Sequence, residues 1–173
     1  MGITLQDIEV MLGVPIDGLP MVGKTNLNWK ALCTKLLGHQ PPDPISHPNE
    51  KKSILARARI WVSWLKAQFR GPLAMNATDA VMQQHARYHI LVWLGSILFM
   101  DKSADRVSMM PLELLNPIND AKKYSWDSVA LAWLYKHLCK ASNKNAMQIG
   151  GAVMLVQYFC FILQQQCKHR CLS

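Results

Sequence analysis

Apolar positions in this chain recur with helical spacing almost throughout. In "TLQDIEVMLG", Ile8, Met11 and Leu12 share one helical face. Thr4 stands where it can cap the first turn, Asp7 takes the acidic position of a capping box, and Gly13 suits the left-handed residue after the last turn. "VPIDGLP" then reads as a turn built on Pro and Asp-Gly, and "WKALCTKLLG" as a second short helix closed by a glycine. "HQPPDPISHP" breaks the pattern, because four prolines within eight positions exclude a helix and a central strand.

From Lys51 to Arg70, Leu55, Ala58, Val62, Leu65 and Phe69 recur at steps of three and four, which predicts a long amphipathic helix. Its opposite face carries Lys52, Arg59, Ser63, Lys66 and Arg70. Thr78 and Asp79 open the next helix, whose second half, "ILVWLGSILF", is apolar all round, as in a helix running through the core. "DKSADR" is a polar turn and "MMPLELLNPIND" a short piece punctuated by prolines. Ser125 then caps "SWDSVALAWLYKHLCKAS", with Asp127 in the first turn and Lys136, His137 and Lys140 in the last, as the helix dipole prefers. Asn143 starts a final helix. No alternating strand pattern emerges, so the expected fold is all-α, one compact domain of about five to seven helices. The expected divisions are an N-terminal helical motif at 1–40, a Pro-rich loop at 41–48, a main bundle at 49–166 and a tail at 167–173.

Composition agrees with a packed domain: half of the 173 residues are apolar, with six Trp along the length. Nineteen Lys and Arg against eleven Asp and Glu leave a formal charge of +8, which favours acidic partners such as nucleic acid, a phosphoprotein or an acidic protein face. Five widely spaced cysteines, with acids where a signal peptide would be basic, suggest free thiols in a reducing compartment. From Asn145 to Cys167 there is no charged residue, yet Gln148, Gln157 and Gln164 to Gln166 interrupt the run, so a core helix is expected there and not a membrane span.

Candidate chemistry is sparse. "GLPMVGKT", from Gly18 to Thr25, has the letters of a phosphate-binding P-loop, but a helix and Pro15 precede it where a strand should run in. "SILFMD" imitates the strand and Asp of a Walker B motif, but it ends a helical run. His85 and His89 sit four apart without the Glu of a zincin, and Cys167, His169 and Cys171 in "CKHRC" fit no zinc module. Cys33 and Cys139 lack a defensible pairing with His39 or His137, and Glu113 in "PLELL" suits a salt bridge as well as acid–base work. Trp61, Trp64, Trp93, Trp126 and Trp133 are expected in the core; Trp29, among polar residues, is the candidate interaction residue.

Three ordered strings carry more information: "TLQDIEVMLGVPIDGLPMVG", "HARYHILVWLGSILFMDKSADRV" and "KKYSWDSVALAWLYKHLCKASNKNAMQIGGAVMLVQ". Together they closely resemble the plant mobile domain, the "aminotransferase-like" domain of plant transposons and of MAINTENANCE OF MERISTEMS-like proteins. Its signature positions are Leu12, Gly13, Pro15, Asp17 and Gly18, then Asp101, Lys102 and Ser103, then Tyr124, Ser125 and Trp126, and finally Gly150 and Gly151. Structural roles in turns, caps and core are the simplest reading of them. The resemblance implies a helical, non-catalytic module of nuclear proteins concerned with transposon silencing, transcription and meristem maintenance, acting with a phosphatase-like protein partner. It implies no cofactor, metal, membrane or small-molecule substrate, and no Lys stands in a recognisable pyridoxal-phosphate setting. After "IGGAVMLVQ" the sequence departs from the family pattern, which suggests a shortened copy with a divergent tail. The alternative reading is a transposon-encoded accessory protein contacting nucleic acid through Lys52, Arg59, Lys66 and Arg70.

Overall fold

The structure, a computed structural model, describes residues 3–13, 16–24, 26–42, 53–99, 105–143 and 153–161. Helix α1 (Leu5–Leu12) is capped as its sequence predicts. The Thr4 hydroxyl accepts from Asp7 N–H at 3.4 Å, the Asp7 carboxylate accepts from Thr4 N–H at 2.8 Å, and Gly13 ends the helix at φ 65°. The Thr4 N–H, and then its hydroxyl, hold the Asp7 carboxyl below its usual range. A carboxyl depressed in the folded state stabilises above its unfolded pKa and loses that contribution as pH falls. Asp7→Asn is therefore expected to flatten part of the stability rise between about pH 3 and 5, measured by denaturant titration.

Helix α2 (Trp29–Leu37) is capped by Asn28, whose Oδ1 accepts from Ala31 N–H at 3.1 Å, and closes on Gly38 at φ 76°. It buries Cys33, Leu36 and Leu37. Trp29, expected among polar surroundings, instead opens α2 and packs against the same core. Lys24, within the P-loop letters, precedes it.

The helix expected over Lys51 to Arg70 is a hairpin followed by a shorter helix. Strands β1 (Leu55–Ala56) and β2 (Arg59–Trp61) pair antiparallel with Leu55 opposite Ile60, and helix α3 (Val62–Gln68) follows directly. Strand β3 (Arg106–Ser108) completes the sheet in the order β1-β2-β3, with Ile60 opposite Val107 and Trp61 opposite Arg106. A two-sided partnership with a strand so far along the chain outweighs local helical propensity, and periodicity within one segment cannot register it. Alternation along β2 and β3 sends Ile60 and Val107 into the core and puts Arg59, Trp61, Arg106 and Ser108 on the other face. The basic stripe therefore does not form on one helix: Arg59 is on a strand, Lys66 is exposed on α3, Arg70 lies beyond it, and Lys52 is outside the described residues.

Helix α4 (Asp79–Trp93) runs on through a π-helical turn (Leu94–Leu98) and buries Leu91, Leu94 and Leu98, as its all-round apolar sequence predicts. Trp93, expected in the core, is 40% exposed. After β3 come α5 (Met110–Leu114), a 3-10 segment (Ile118–Lys123), α6 (Trp126–Ala141) and a helix over 153–161, α7. The core has three parts. One lies among α2, α3, α4, α5 and the sheet; one joins the π-helical turn to the start of α6; one packs Ile8 of α1 on Leu134 of α6 and Leu155 of α7. The fold is thus mainly helical, as expected, with one small sheet added.

Cys33 is fully buried, and desolvation pushes its thiol up to about 12, whereas Cys139 and Cys160 are exposed. Thiolate is the reactive form. Iodoacetamide at about pH 8 is expected to alkylate Cys139 and Cys160 in the native protein and Cys33 only in denaturant, as read by peptide mass spectrometry.

Candidate functional site

Two regions collect the chemistry that the sequence singles out. In the first, the segment from Ile16 to Leu19 and the "YSWD" start of α6 fasten together. Leu19 N–H donates to Lys123 O at 2.7 Å, and Ser125 N–H donates to Leu19 O at 3.1 Å, a short parallel bridge. A Cβ on Gly18 would lie 2.6 Å from Ser125 N and 2.7 Å from Tyr124 C, so glycine is what lets the two backbones meet. Ser125 stands at the N-cap position of α6, but its hydroxyl makes no capping bond. It lies 3.0 Å from Ile16 O and 2.7 Å from Asp127 Oδ1, and its single proton serves one acceptor at a time. Asp127 stands in the first turn of α6, as expected, but is fully buried, and its Oδ2 has no hydrogen-bond partner among the described residues. The Trp126 indole N–H donates to Ala121 O at 2.7 Å. Of the signature residues, Leu12, Gly13, Asp17, Gly18, Tyr124, Ser125 and Trp126 are seen, and most serve this junction or α1. Pro15, Asp101, Lys102, Ser103, Gly150 and Gly151 lie outside the described residues.

The P-loop letters therefore belong to a connecting loop. Lys24 pairs with Glu113 at 3.1 Å, and Gly23 lies beside Met110, whose Cε would be 2.6 Å from an added Cβ. Thr25 is outside the described residues. His85 rests edge-on against Phe69, and His89 lies against Tyr88, centroids 5.0 and 4.7 Å apart. Among the described residues no group of three His, Cys, Asp or Glu is placed to hold a metal, and no helix is long and apolar enough to cross a membrane. The "CKHRC" tail and most of the uncharged run before it lie outside those residues.

The second region is a concavity of about 410 Å³ between the sheet's outer face, α5 and α6. Arg57, Arg59, Arg106 and Lys136 line it, with no Asp or Glu among the described lining residues. Like charges around one hollow add their potentials, and the low-dielectric wall focuses them. The apolar part of the wall comes from Met21, Phe99, Met110, Leu114 and Trp133. Arg106 stacks over the Trp61 ring at 4.5 Å and donates to Ser53 O at 3.1 Å. Lys136 Nζ stands 5.2 Å over the Trp133 ring, and Trp133 meets Phe99 edge-on at 5.8 Å. The Trp133 indole N–H is buried without a hydrogen-bond partner among the described residues. Of the expected contact residues that are described, Arg59, Lys66 and Arg70, only Arg59 lines this hollow. Arg57, Arg106 and Lys136 escaped sequence reasoning, because a turn, a remote strand and a helix supply one each.

Arg57 owes its position to the hairpin turn. Arg57 and Ala58 have φ 49° and 59°, the left-handed pair of a two-residue turn that Asn-Gly fills most easily. A side chain there costs roughly 1 kcal/mol per residue. Arg57→Asn combined with Ala58→Gly is expected to raise stability by about 1 kcal/mol in urea titration.

The sequence profile described as "Plant mobile domain" matches residues 1–168 of this chain. Among curated proteins of Arabidopsis thaliana, the chain is 33% identical over 159 residues to "Serine/threonine-protein phosphatase 7 long form homolog", covering 92% of this chain and 11% of that protein. It is 33% identical over 163 residues to "Protein MAIN-LIKE 1", covering 93% and 30%. It is 29% identical over 163 residues to "Protein MAINTENANCE OF MERISTEMS", covering 93% and 32%. The chain thus spans less than a third of the length of each of these relatives. No solved structure matches.

Proposed function

Because the chain belongs to the plant mobile domain family, we propose that it is a docking module of nuclear proteins that holds an acidic protein partner without turnover. One observation carries this reading: the hollow between sheet and α6 gathers four cations, aromatic rings and thioethers around one space, with no carboxylate among the described lining residues. Such groups attract and hold an anionic surface. In this reading the module serves transposon silencing, transcriptional control and meristem maintenance, and its partner is a phosphatase-like nuclear protein. Nucleic-acid contact through Lys52, Arg59, Lys66 and Arg70 is the competing reading; it has Arg59 on the hollow and Lys66 exposed on α3.

The test is to express the tagged chain in plant cells and compare it with an Arg57→Glu, Lys136→Glu double variant. Nuclear accumulation and recovery of a reproducible partner, lost in the variant, support the proposal. Exclusion from the nucleus, equal recovery by both proteins, or duplex DNA binding that falls steeply with salt and ignores the double variant would count against it.

A further inference from the structure

We infer that the hollow receives an acidic peptide segment of the partner, with carboxylates flanking an apolar side chain, and that the strained hairpin turn holds Arg57 in place for it. This deepens the docking reading and rests on it. The lining has two kinds of surface, and each selects part of the ligand. Arg57 and Lys136 approach from the turn and from α6, so negative charge is favoured at the rim of the hollow and at its α6 wall. Met110 and Leu114, with the Phe99 and Trp133 rings, offer apolar contact between those charges. A polyphosphate backbone matches only the first kind. A duplex also presents a convex rod, whereas about 410 Å³ of concave space suits a few side chains of an extended or helical segment.

The turn supplies a second, independent observation. Two non-glycine residues at φ 49° and 59° keep a left-handed geometry that Asn-Gly would adopt with less strain. Ala58 O accepts from Met109 N–H at 2.8 Å, which ties the turn to the segment entering α5. The guanidinium of Arg57 is therefore carried on a fixed mount, and less side-chain and loop freedom is lost when an anion docks. The strain and the basic side chain occur at the same position, and that position lines the hollow.

The probe is a short fluorescein-labelled peptide in which Glu residues flank a Phe-Leu pair, read by fluorescence anisotropy against the full chain. Two further probes accompany it: the same peptide with Gln for Glu, and a DNA duplex. The protein variants are Arg57→Asn with Ala58→Gly, Lys136→Ala, and Lys66→Ala as an exposed cation off the hollow. Expected results are binding of the Glu peptide, about tenfold weaker binding of the Gln peptide, and about tenfold weaker binding of the Glu peptide by the turn variant and by Lys136→Ala. Lys66→Ala is expected to bind like the wild type, and the turn variant to unfold at or above the wild-type temperature, which separates lost binding from lost folding. Equal affinity for the Glu and Gln peptides, or undiminished binding by the turn variant, overturns the inference. So does DNA binding tighter than that of the Glu peptide. Recovery of a nuclear partner that depends on Arg57 and Lys136, with no binding of the Glu peptide, refutes the ligand class alone. Absence of any such partner refutes the docking reading itself.

Discussion

Gly18→Ala is expected to lower the unfolding free energy by about 3 kcal/mol, measured in urea, with a matching fall in thermal midpoint. The added methyl would meet backbone on the other side, Ser125 N at 2.6 Å, Tyr124 C at 2.7 Å and Lys123 O at 3.0 Å, and none of these can rotate away. Relief requires parting Leu19 from Lys123 and Ser125, whose two hydrogen bonds of 2.7 and 3.1 Å join the loop to α6. Gly23 provides the control. Its added methyl would meet only the tip of Met110, a flexible side chain, so Gly23→Ala is expected within about 0.5 kcal/mol of wild type. A phosphate cradle would need both glycines and Lys24 for nucleotide, whereas a junction needs Gly18 alone. A loss below about 0.5 kcal/mol for Gly18→Ala would show that the two backbones do not meet as described.

Arg87→Met is expected to cost about 3 kcal/mol, again by denaturant titration. Arg87 is 6% exposed and ties its own helix α4 to the ends of α2 and α5. Its Nε–H donates to Leu115 O at 3.0 Å, one Nη to Leu36 O at 3.5 Å and the other to Gln83 Oε1 at 3.1 Å. Leu115 caps α5 and Leu36 lies in the last turn of α2, so both carbonyls are among those a helix leaves without an internal partner. Burial lowers the guanidinium's pKa, and these acceptors are what hold the cation there. Methionine keeps most of the apolar stem, so the measured loss reports the orphaned carbonyls and not a cavity. Arg87→Lys is expected to fall between, since one ammonium cannot reproduce the planar fork. Equal stability of Arg87→Met and wild type would mean that water satisfies these carbonyls without Arg87.

Local signals were legible and non-local ones were not. The capping box of Thr4 and Asp7 and the glycine ends of α1 and α2 depend on residues within one turn, and each forms as read. The helical run through "ILVWLGSILF" is carried by its own apolar residues. The sheet is different: Leu55, Ala58 and Val62 mimic a helical stripe, and only β3 converts the segment into strands. Trp29 has polar neighbours in sequence but apolar neighbours in space, so its own segment does not show its place against the core. The hollow is non-local for the same reason: Arg57, Arg59, Arg106 and Lys136 come from a turn, two strands and a helix and share no local pattern. Arg87 sits inside the resemblance to known relatives, yet nothing in its own segment marks it as a clamp between helices.

The bridge between Leu19 and Tyr124 has a consequence for the order of assembly. Ser125 Oγ and Ile16 O are 109 positions apart in sequence. On the ribosome, α1 emerges early, but its eight residues are too few to hold a helix alone, and the surface that Ile8 covers does not exist until Leu134 of α6 and Leu155 of α7 have been made. Closing so long a loop is slow and entropically costly before the contacts reward it. Helix α1, made before the other described elements, is therefore among the last of them to settle, and during that interval Ile3, Ile8 and Met11 are apolar bait for chaperones or for another nascent chain.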